Sequence, residues 1–235
     1  MKRRLRQLHA DQSGFSLPEL ITAMALGMVV LLAAAFLLDA SVSRSNEIAD
    51  RQDAIQRGRL AMEIVTRDLR SQVCLKDQRP ITDGQDQQIS YYASLSDQPD
   101  SADLRTITFD ATAKRLQQSI LRGTGTFPDL TFPGPATSSW LLEGAVPVKD
   151  GAVDRPIFRY YAYKVGGTPG ELELLPTPLS LVNRERVVLI KVAFVALPAR
   201  TLARNTTNRD STTFESDVYV RLADPTKPAD GPRCI

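Results

Sequence analysis

Residues 14–38 read GFSLPELITAMALGMVVLLAAAFLL, a glycine and a phenylalanine followed by an apolar run in which Glu19 is the only ionisable side chain. As a helix, the 24 residues Phe15–Leu38 extend about 36 Å, enough to cross a bilayer core of about 30 Å. A basic segment precedes the run and Asp39 follows it. By the positive-inside rule, this order predicts that residues 1–14 face the cytoplasm and that the chain after Leu38 lies outside it.

The first 14 residues carry the basic excess of the chain. They hold four basic side chains against Asp11, namely Lys2, Arg3, Arg4 and Arg6. This segment contributes +3 to a net charge of +2, which leaves −1 for residues 15–235, so nucleic-acid binding by the folded part is not indicated. The single histidine, His9, also lies here. Its position disfavours histidine-dependent catalysis and histidine metal sites in the rest of the chain.

The position of Gly14 distinguishes this N-terminus from an ordinary secretory signal. In such a signal the cleavage site follows a short apolar core. Here the candidate cleavage point, Gly14, precedes the apolar run. Cleavage after Gly14 would remove the charged leader and keep the hydrophobic helix.

Glu19 is unexpected beside lipid, because a carboxylate near the bilayer core is unfavourable and usually functional. Two explanations fit the residues. In the first, Ser16 is a helix N-cap and Glu19 completes a capping box, with Pro18 tolerated in the first turn. In the second, Glu19 pairs with a positive group of a neighbouring chain, such as a new α-amine at Phe15.

The sequence GFSLPEL followed by an apolar helix resembles the N-terminus of type IV prepilins and type II secretion pseudopilins. The resemblance implies that a prepilin peptidase cuts between Gly14 and Phe15 and that Phe15 is then N-methylated. Glu19 becomes the fifth residue of the mature chain, the position that this family uses for subunit registration. The commonest family pattern has threonine in place of Ser16 and an aliphatic residue in place of Pro18.

Residues 39–75 continue the helix in amphipathic form. Ile48, Ile55, Met62 and Leu69 recur every seven residues, and this apolar stripe is expected to pack on the C-terminal domain. We predict one helix from about Ser16 to Val73, with Gly27 and Gly58 as points where it could bend. The segment Gln56–Cys74 resembles the helix of the larger minor subunits, the PilW-like minor pilins and J-type minor pseudopilins.

Residues 76–235 are predicted to form a β-rich globular domain. The strand candidates are Ile89–Leu95, Leu104–Asp110, Arg115–Leu121, Ile157–Val165, Arg186–Leu197 and Phe214–Leu222. Asp77–Gln88 and Gly123–Pro135 are predicted loops, and Pro198–Thr213 is predicted to project. The fold class is therefore α+β and pilin-like, with a long N-terminal helix packed on a mostly antiparallel sheet.

The two cysteines, Cys74 and Cys234, allow one disulfide in an exported chain. A bond between them would close a loop of about 160 residues and contribute at most about 5 kcal/mol. The alternative is two unpaired thiols.

No constellation of residues predicts catalysis, a metal site or a cofactor. Asp83–Asp86 lacks the calcium-loop pattern, and the strand tyrosines are ordinary half-buried residues. We therefore expect no enzyme activity, although a Ser–Lys dyad is not excluded by sequence.

The expected function is that of a structural minor pilin or pseudopilin. The resemblance implies other pilins or pseudopilins, a prepilin peptidase, an assembly platform protein and an ATPase as partners, with membrane lipid around the helix before assembly. The expected location is the inner membrane and then a surface filament, at or near its tip. The alternatives are a DNA-uptake pseudopilus component and a membrane-anchored enzyme or binding protein with an uncut leader.

Overall fold

The computed structural model describes residues 16–76, 79–95, 101–199 and 211–220. The chain divides into two compact units, Met1–Ile48 and Ala49–Ile235. Helix α1 (Leu17–Arg70) begins in the first unit and ends in the second. The predicted long N-terminal helix is thus confirmed, and it continues through Gly27 and Gly58.

The described part of the first unit, residues 16–48, is helical from Leu17 onward, and all of its residues are exposed. The second unit contains the buried core. There α1 buries a face of mostly small residues at spacings of four and three, namely Ala54, Gly58, Ala61, Val65 and Asp68. Small side chains allow the sheets to approach the helix backbone closely.

The predicted seven-residue stripe is only partly correct. Met62 and Leu69 are buried, but Ile48 is 60% exposed and Ile55 is 37% exposed. The buried face also recurs every seven residues, at Ala54, Ala61 and Asp68, so the predicted period is right and the predicted position is not. The stripe of Ile48, Ile55, Met62 and Leu69 lies to one side of the face that packs, which uses alanine and glycine.

Among the described residues, fourteen strands and a second helix follow α1. The strands are β1 (Ile81–Gly84), β2 (Gln88–Ala93), β3 (Asp103–Asp110), β4 (Arg115–Arg122), β5 (Thr124–Thr126), β6 (Asp129–Thr131), β7 (Thr137–Glu143), β8 (Ala145–Val146), β9 (Lys149–Asp150), β10 (Val153–Asp154), β11 (Phe158–Tyr163), β12 (Leu172–Leu174), β13 (Leu189–Ala196) and β14 (Thr212–Tyr219). Helix α2 is Leu181–Arg186. Every strand pairing is antiparallel, so the predicted α+β class is confirmed.

The first large sheet has the order β1-β2-β3-β4-β7. Its β3–β4 hairpin turns at Ala111–Lys114. Asp110 Oδ1 accepts hydrogen bonds from the backbone amides of Thr112 and Ala113, and Lys114 has a φ of 52°. An aspartate that receives these amides is a common start for such a turn.

The second large sheet has the order β12-β11-β13-β14, and β8 also pairs with β13. The strand predicted at Arg186–Leu197 corresponds to β13, which is bonded to β11 on one side and β14 on the other. Its side chains join residues of α1 and of the first sheet in one core, including Val65, Ile107, Tyr160 and Phe194. Both sheets therefore contribute to a single hydrophobic cluster.

Three local predictions were wrong. The predicted loop Asp77–Gln88 contains β1, and the predicted loop Gly123–Pro135 contains the β5–β6 hairpin. The predicted strand Arg186–Leu197 begins late, because α2 extends to Arg186 and β13 starts at Leu189. Asp and Gly in β1 and Gly in β5 disfavour strands locally, but pairing with a neighbouring strand overrides that preference.

Gly58 allows Phe214 of β14 to contact α1. A Cβ at position 58 would lie 2.2 Å from Cε2 of Phe214. The Phe214 ring stacks on Phe194 with centroids 5.8 Å apart, which limits its room to move. Gly58 is therefore a packing residue of the second unit.

We predict that Gly58→Ala destabilises the second unit by about 1–2 kcal/mol. Overpacking typically costs about 1–3 kcal/mol, and the better helix propensity of alanine returns up to about 1 kcal/mol. Urea unfolding of the full chain in detergent measures the effect. The matched control is Gly27→Ala, since nothing lies within 4 Å of a Cβ there. Equal stability of both variants would contradict the packing role.

Candidate functional site

The apolar part of α1 is the first candidate site. An 18-residue window within this helix has a mean hydropathy of 2.6, and none of that window is buried. Its large side chains are open to the surroundings, with Phe36 74% exposed. The helix is long and apolar enough to cross a membrane by length and composition. Such a surface is unfavourable in water, so lipid or other protein must cover it.

Glu19 lies in the first turn of α1, where a negative charge is favoured by the helix dipole. The Ser16 hydroxyl lies 3.5 Å from Oε2 of Glu19, and the Ser16 carbonyl accepts the Glu19 amide at 2.9 Å. The structure thus pairs the two side chains with each other, whereas a capping box pairs each with a backbone amide. Within the described residues Glu19 has no basic partner.

The remaining predicted site residues are placed only in part. Gly14 and Phe15 lie outside the described residues, so cleavage and methylation at this bond stay predictions. Cys74 follows α1 closely and is disulfide-bonded. Cys234, its predicted partner, also lies outside the described residues, and the pairing therefore stays a prediction.

A buried polar cluster, which the sequence reasoning missed, joins α1 to the first sheet. Asp68 is fully buried, and its Oδ2 accepts a hydrogen bond from Nη1 of Arg105 at 2.8 Å. Gln118 Nε2 donates to the same oxygen. Nη2 of Arg105 also donates to Asp103 at 3.1 Å. The Asp68 charge is thus met by a buried guanidinium on β3 and an amide on β4.

Tyr91 of β2 belongs to the same cluster. Burial, with the charge of Asp68, raises the pKa of Tyr91 well above its ordinary value, and Arg105 acts in the opposite direction. The phenol therefore stays neutral throughout the physiological range. The role of Asp68 and Arg105 is to hold α1 and the first sheet together.

A second contact places α1 against the ends of both sheets. Asp53 accepts from Nε of Arg57 at 3.0 Å. The other two nitrogens of Arg57 donate to the carbonyl of Glu143, at the end of β7, and to that of Leu197, just after β13. Asp68 and Arg57 are thus charged residues of α1 that contact the sheets.

The sequence contained a usable signal for the buried pair. Arg105 occupies the same strand face as Ile107 and Phe109, and all three are buried. A charged residue in phase with core residues indicates a buried partner of opposite sign. Which acidic residue pairs with Arg105 depends on the tertiary structure and cannot be read from the sequence.

Asp83 and Asp86 are engaged by protein groups. Asp83 pairs with Arg184 at 3.3 Å, and Asp86 accepts from the Thr177 hydroxyl. Across the described ranges, no group of three His, Cys, Asp or Glu side chains is placed to hold a metal ion.

Comparison with known families identifies the N-terminal stretch. The family model of the prokaryotic N-terminal methylation motif matches residues 9–35. The chain carries a type IV pilin-like methylation motif. The matched range includes Gly14, Phe15 and Glu19 and much of the exposed apolar helix. No curated protein matches the chain significantly.

We predict that Asp68→Asn destabilises the second unit by about 3–5 kcal/mol, because it leaves the Arg105 charge buried without its main partner. Urea unfolding of the full chain in detergent is the measurement. Glu63→Gln on the exposed face of α1 is the control and should change stability by no more than about 0.5 kcal/mol.

The double variant Asp68→Leu/Arg105→Leu should recover much of this loss, since it removes both buried charges. Equal stability of Asp68→Asn and the Glu63→Gln control would show that the pair has no structural role.

Proposed function

We propose that this chain is a structural minor pilin or pseudopilin subunit. The methylation motif at residues 9–35 carries the proposal, because its residues from Leu17 onward lie on the part of α1 whose apolar side chains are exposed. A prepilin peptidase would cut after Gly14 and methylate Phe15. We propose that the β-rich domain has no catalytic role and that the helix anchors it in the filament as a structural domain.

The physical basis of assembly is exchange of lipid for protein around the helix. Before assembly the apolar segment is held in the cytoplasmic membrane with the second unit outside the cytoplasm. The platform protein and the ATPase would then drive its entry into a helical filament of pilins or pseudopilins. On assembly, the apolar side chains of the helix move from lipid to the equally apolar surfaces of other helices. The hydrophobic effect therefore contributes little, and packing and polar contacts between helices decide how the helices are arranged in the filament.

Glu19 supplies such a polar contact. The described residues give it only the neutral hydroxyl of Ser16. A carboxylate without a counter-charge is penalised in a low-dielectric setting. Pairing with the α-amine at Phe15 of a neighbouring subunit removes that penalty. The pair forms only when the two helices are aligned in one register, so it favours ordered assembly. A large β-rich domain after the helix fits a minor subunit at or near the filament tip.

We predict that Glu19→Gln is cleaved normally but enters filaments on the order of tenfold less than the native chain. A charge-assisted hydrogen bond is worth about 1.5–3 kcal/mol, and about 1.4 kcal/mol is a factor of ten. Glutamine can still serve in a capping box, so this variant separates the two roles of Glu19. Quantitative immunoblotting of sheared filaments gives the measurement.

Glu19→Val should behave in the same way as Glu19→Gln. Glu47→Gln, at another exposed acid of α1, is the matched control and should be incorporated normally. Normal incorporation of Glu19→Gln would mean that Glu19 acts only as a helix cap.

A further inference from the structure

A groove of about 890 Å³ lies beside the C-terminal part of α1 in the second unit. Its apolar lining comes from residues far apart in sequence, namely Ile55 and Met62 of α1, Val73 after the helix, Leu95 after β2, and Phe214 of β14. Binding pockets are typically concave and mostly apolar, with a few polar groups that fix the orientation of the ligand. The groove thus has the shape and the lining to take apolar side chains of a partner.

Gln72 lines this groove, and its side-chain amide lacks hydrogen-bond partners. The amide nitrogen and oxygen are both buried, and neither is paired within the described part of the chain. Buried polar groups are almost always paired, so this unpaired amide is unfavourable in the free subunit. A primary amide offers donors and an acceptor together, which matches the N–H and C=O of a peptide backbone. Rotation of the Gln72 side chain toward a peptide in the groove would satisfy the amide.

The charged residues that line the groove are mostly basic. They are Arg59, Arg67 and Arg70, with Glu63 as the acid among them. Arg67 has Asp68 as a partner at 3.4 Å. Arg59 and Arg70 are exposed, and neither forms an ion pair with any residue that the structure describes. Charge complementarity therefore favours an occupant that carries carboxylates next to apolar side chains.

The class of partner follows from the proposed function, on which this inference rests. Helix α1 supplies the basic rim of the groove, and the proposed function places α1 among the helices of neighbouring subunits. A minor subunit has other types of subunit around it. A different pilin or pseudopilin is therefore the chain that this groove would meet in the assembly.

We propose that the groove binds an extended acidic segment of a neighbouring filament subunit. Apolar side chains of that segment pack on Met62 and Phe214, its carboxylates pair with Arg59 and Arg70, and its backbone pairs with the Gln72 amide. An extended segment fits better than a helix, because a helix already satisfies its own backbone groups. The contact adds a polar, charge-dependent interface in the second unit to the packing of the apolar helices.

Photo-crosslinking of the full chain in the native host tests the proposal. Glu63→p-benzoylphenylalanine places the probe at the groove, and Val153→p-benzoylphenylalanine, at an exposed residue that does not line it, is the control. Mass spectrometry identifies the linked protein and the linked peptide. Position 63 should link, well above the control yield, to a second protein that has its own N-terminal methylation motif. The linked peptide should contain carboxylates next to apolar side chains.

Charge reversal tests the role of the arginines. In chains that carry the probe at position 63, Arg59→Glu/Arg70→Glu should lower the linkage on the order of tenfold, because two attractions become repulsions. Arg51→Glu/Arg122→Glu changes the same charge at exposed arginines that do not line the groove. This matched control should keep the linkage within about twofold.

Gln72→Met separates binding from folding. It should lower the linkage by about two- to tenfold, since a hydrogen-bonding side chain is lost from the groove. The urea midpoint of the full chain in detergent should not fall, because the same change removes a buried unpaired amide. A purely structural role for Gln72 would lower the urea midpoint and leave the linkage unchanged.

Several outcomes would overturn the proposal. They are linkage equal to the Val153 control, linkage to a segment of this same chain or to a protein without the motif, and undiminished linkage in the groove variants. The mass of the N-terminus, measured on the same sample, distinguishes this proposal from the proposed function. A chain that begins at Phe15 but gives none of the expected links overturns the groove proposal alone, whereas a retained leader overturns the proposed function and with it the class of partner.

Discussion

The buried ion pair between Asp68 and Arg105 decides how α1 is oriented in the second unit. A fully buried carboxylate is tolerated only where a counter-charge and further hydrogen bonds meet it, and Arg105 and Gln118 provide both. Any rotation of α1 about its axis would separate the pair. The pair lies on the same face of α1 as Gly58, Ala61 and Val65, so it helps to hold that face against the sheets.

Two acids of α1 show how the setting of a carboxylate decides its role. Asp68 has an intramolecular cation and serves to lock the helix to the first sheet. Glu19 lies on an exposed apolar segment and has no cation among the described residues. Burial in the proposed assembly would impose the same unfavourable desolvation on Glu19, and the missing charge would then come from another subunit. The proposed assembly follows from this unmet requirement together with the methylation motif.

The long helix and the main strands were predictable because their signals are local. An unbroken apolar run predicts α1 directly, and the predicted strand Leu104–Asp110 falls within β3. β1 and the β5–β6 hairpin were missed, because Asp, Gly and Thr give no strand signal until a neighbouring strand supplies the hydrogen bonds. The prediction that the seven-residue stripe packs on the domain was only partly correct. The sheets approach α1 at small residues, and a search for large hydrophobic residues does not find these.

The residues of the candidate site also differ in how far the sequence predicts them. The residues of the N-terminal motif lie close together in sequence, so sequence alone is enough to predict roles for Gly14, Phe15 and Glu19. The Asp68 cluster draws on α1, β3 and β4, and no spacing along the chain brings these together. The groove beside β14 likewise exists only once the two sheets are packed on the helix.

The mass of the mature N-terminus in the native host tests the central claim most directly. Filaments or membranes are extracted, and the intact chain and its N-terminal peptide are measured by mass spectrometry. The account predicts a chain that begins at N-methylated Phe15 and lacks the 14-residue leader. A chain that retains Met1 and its basic leader would contradict processing, and with it the assignment as a filament subunit.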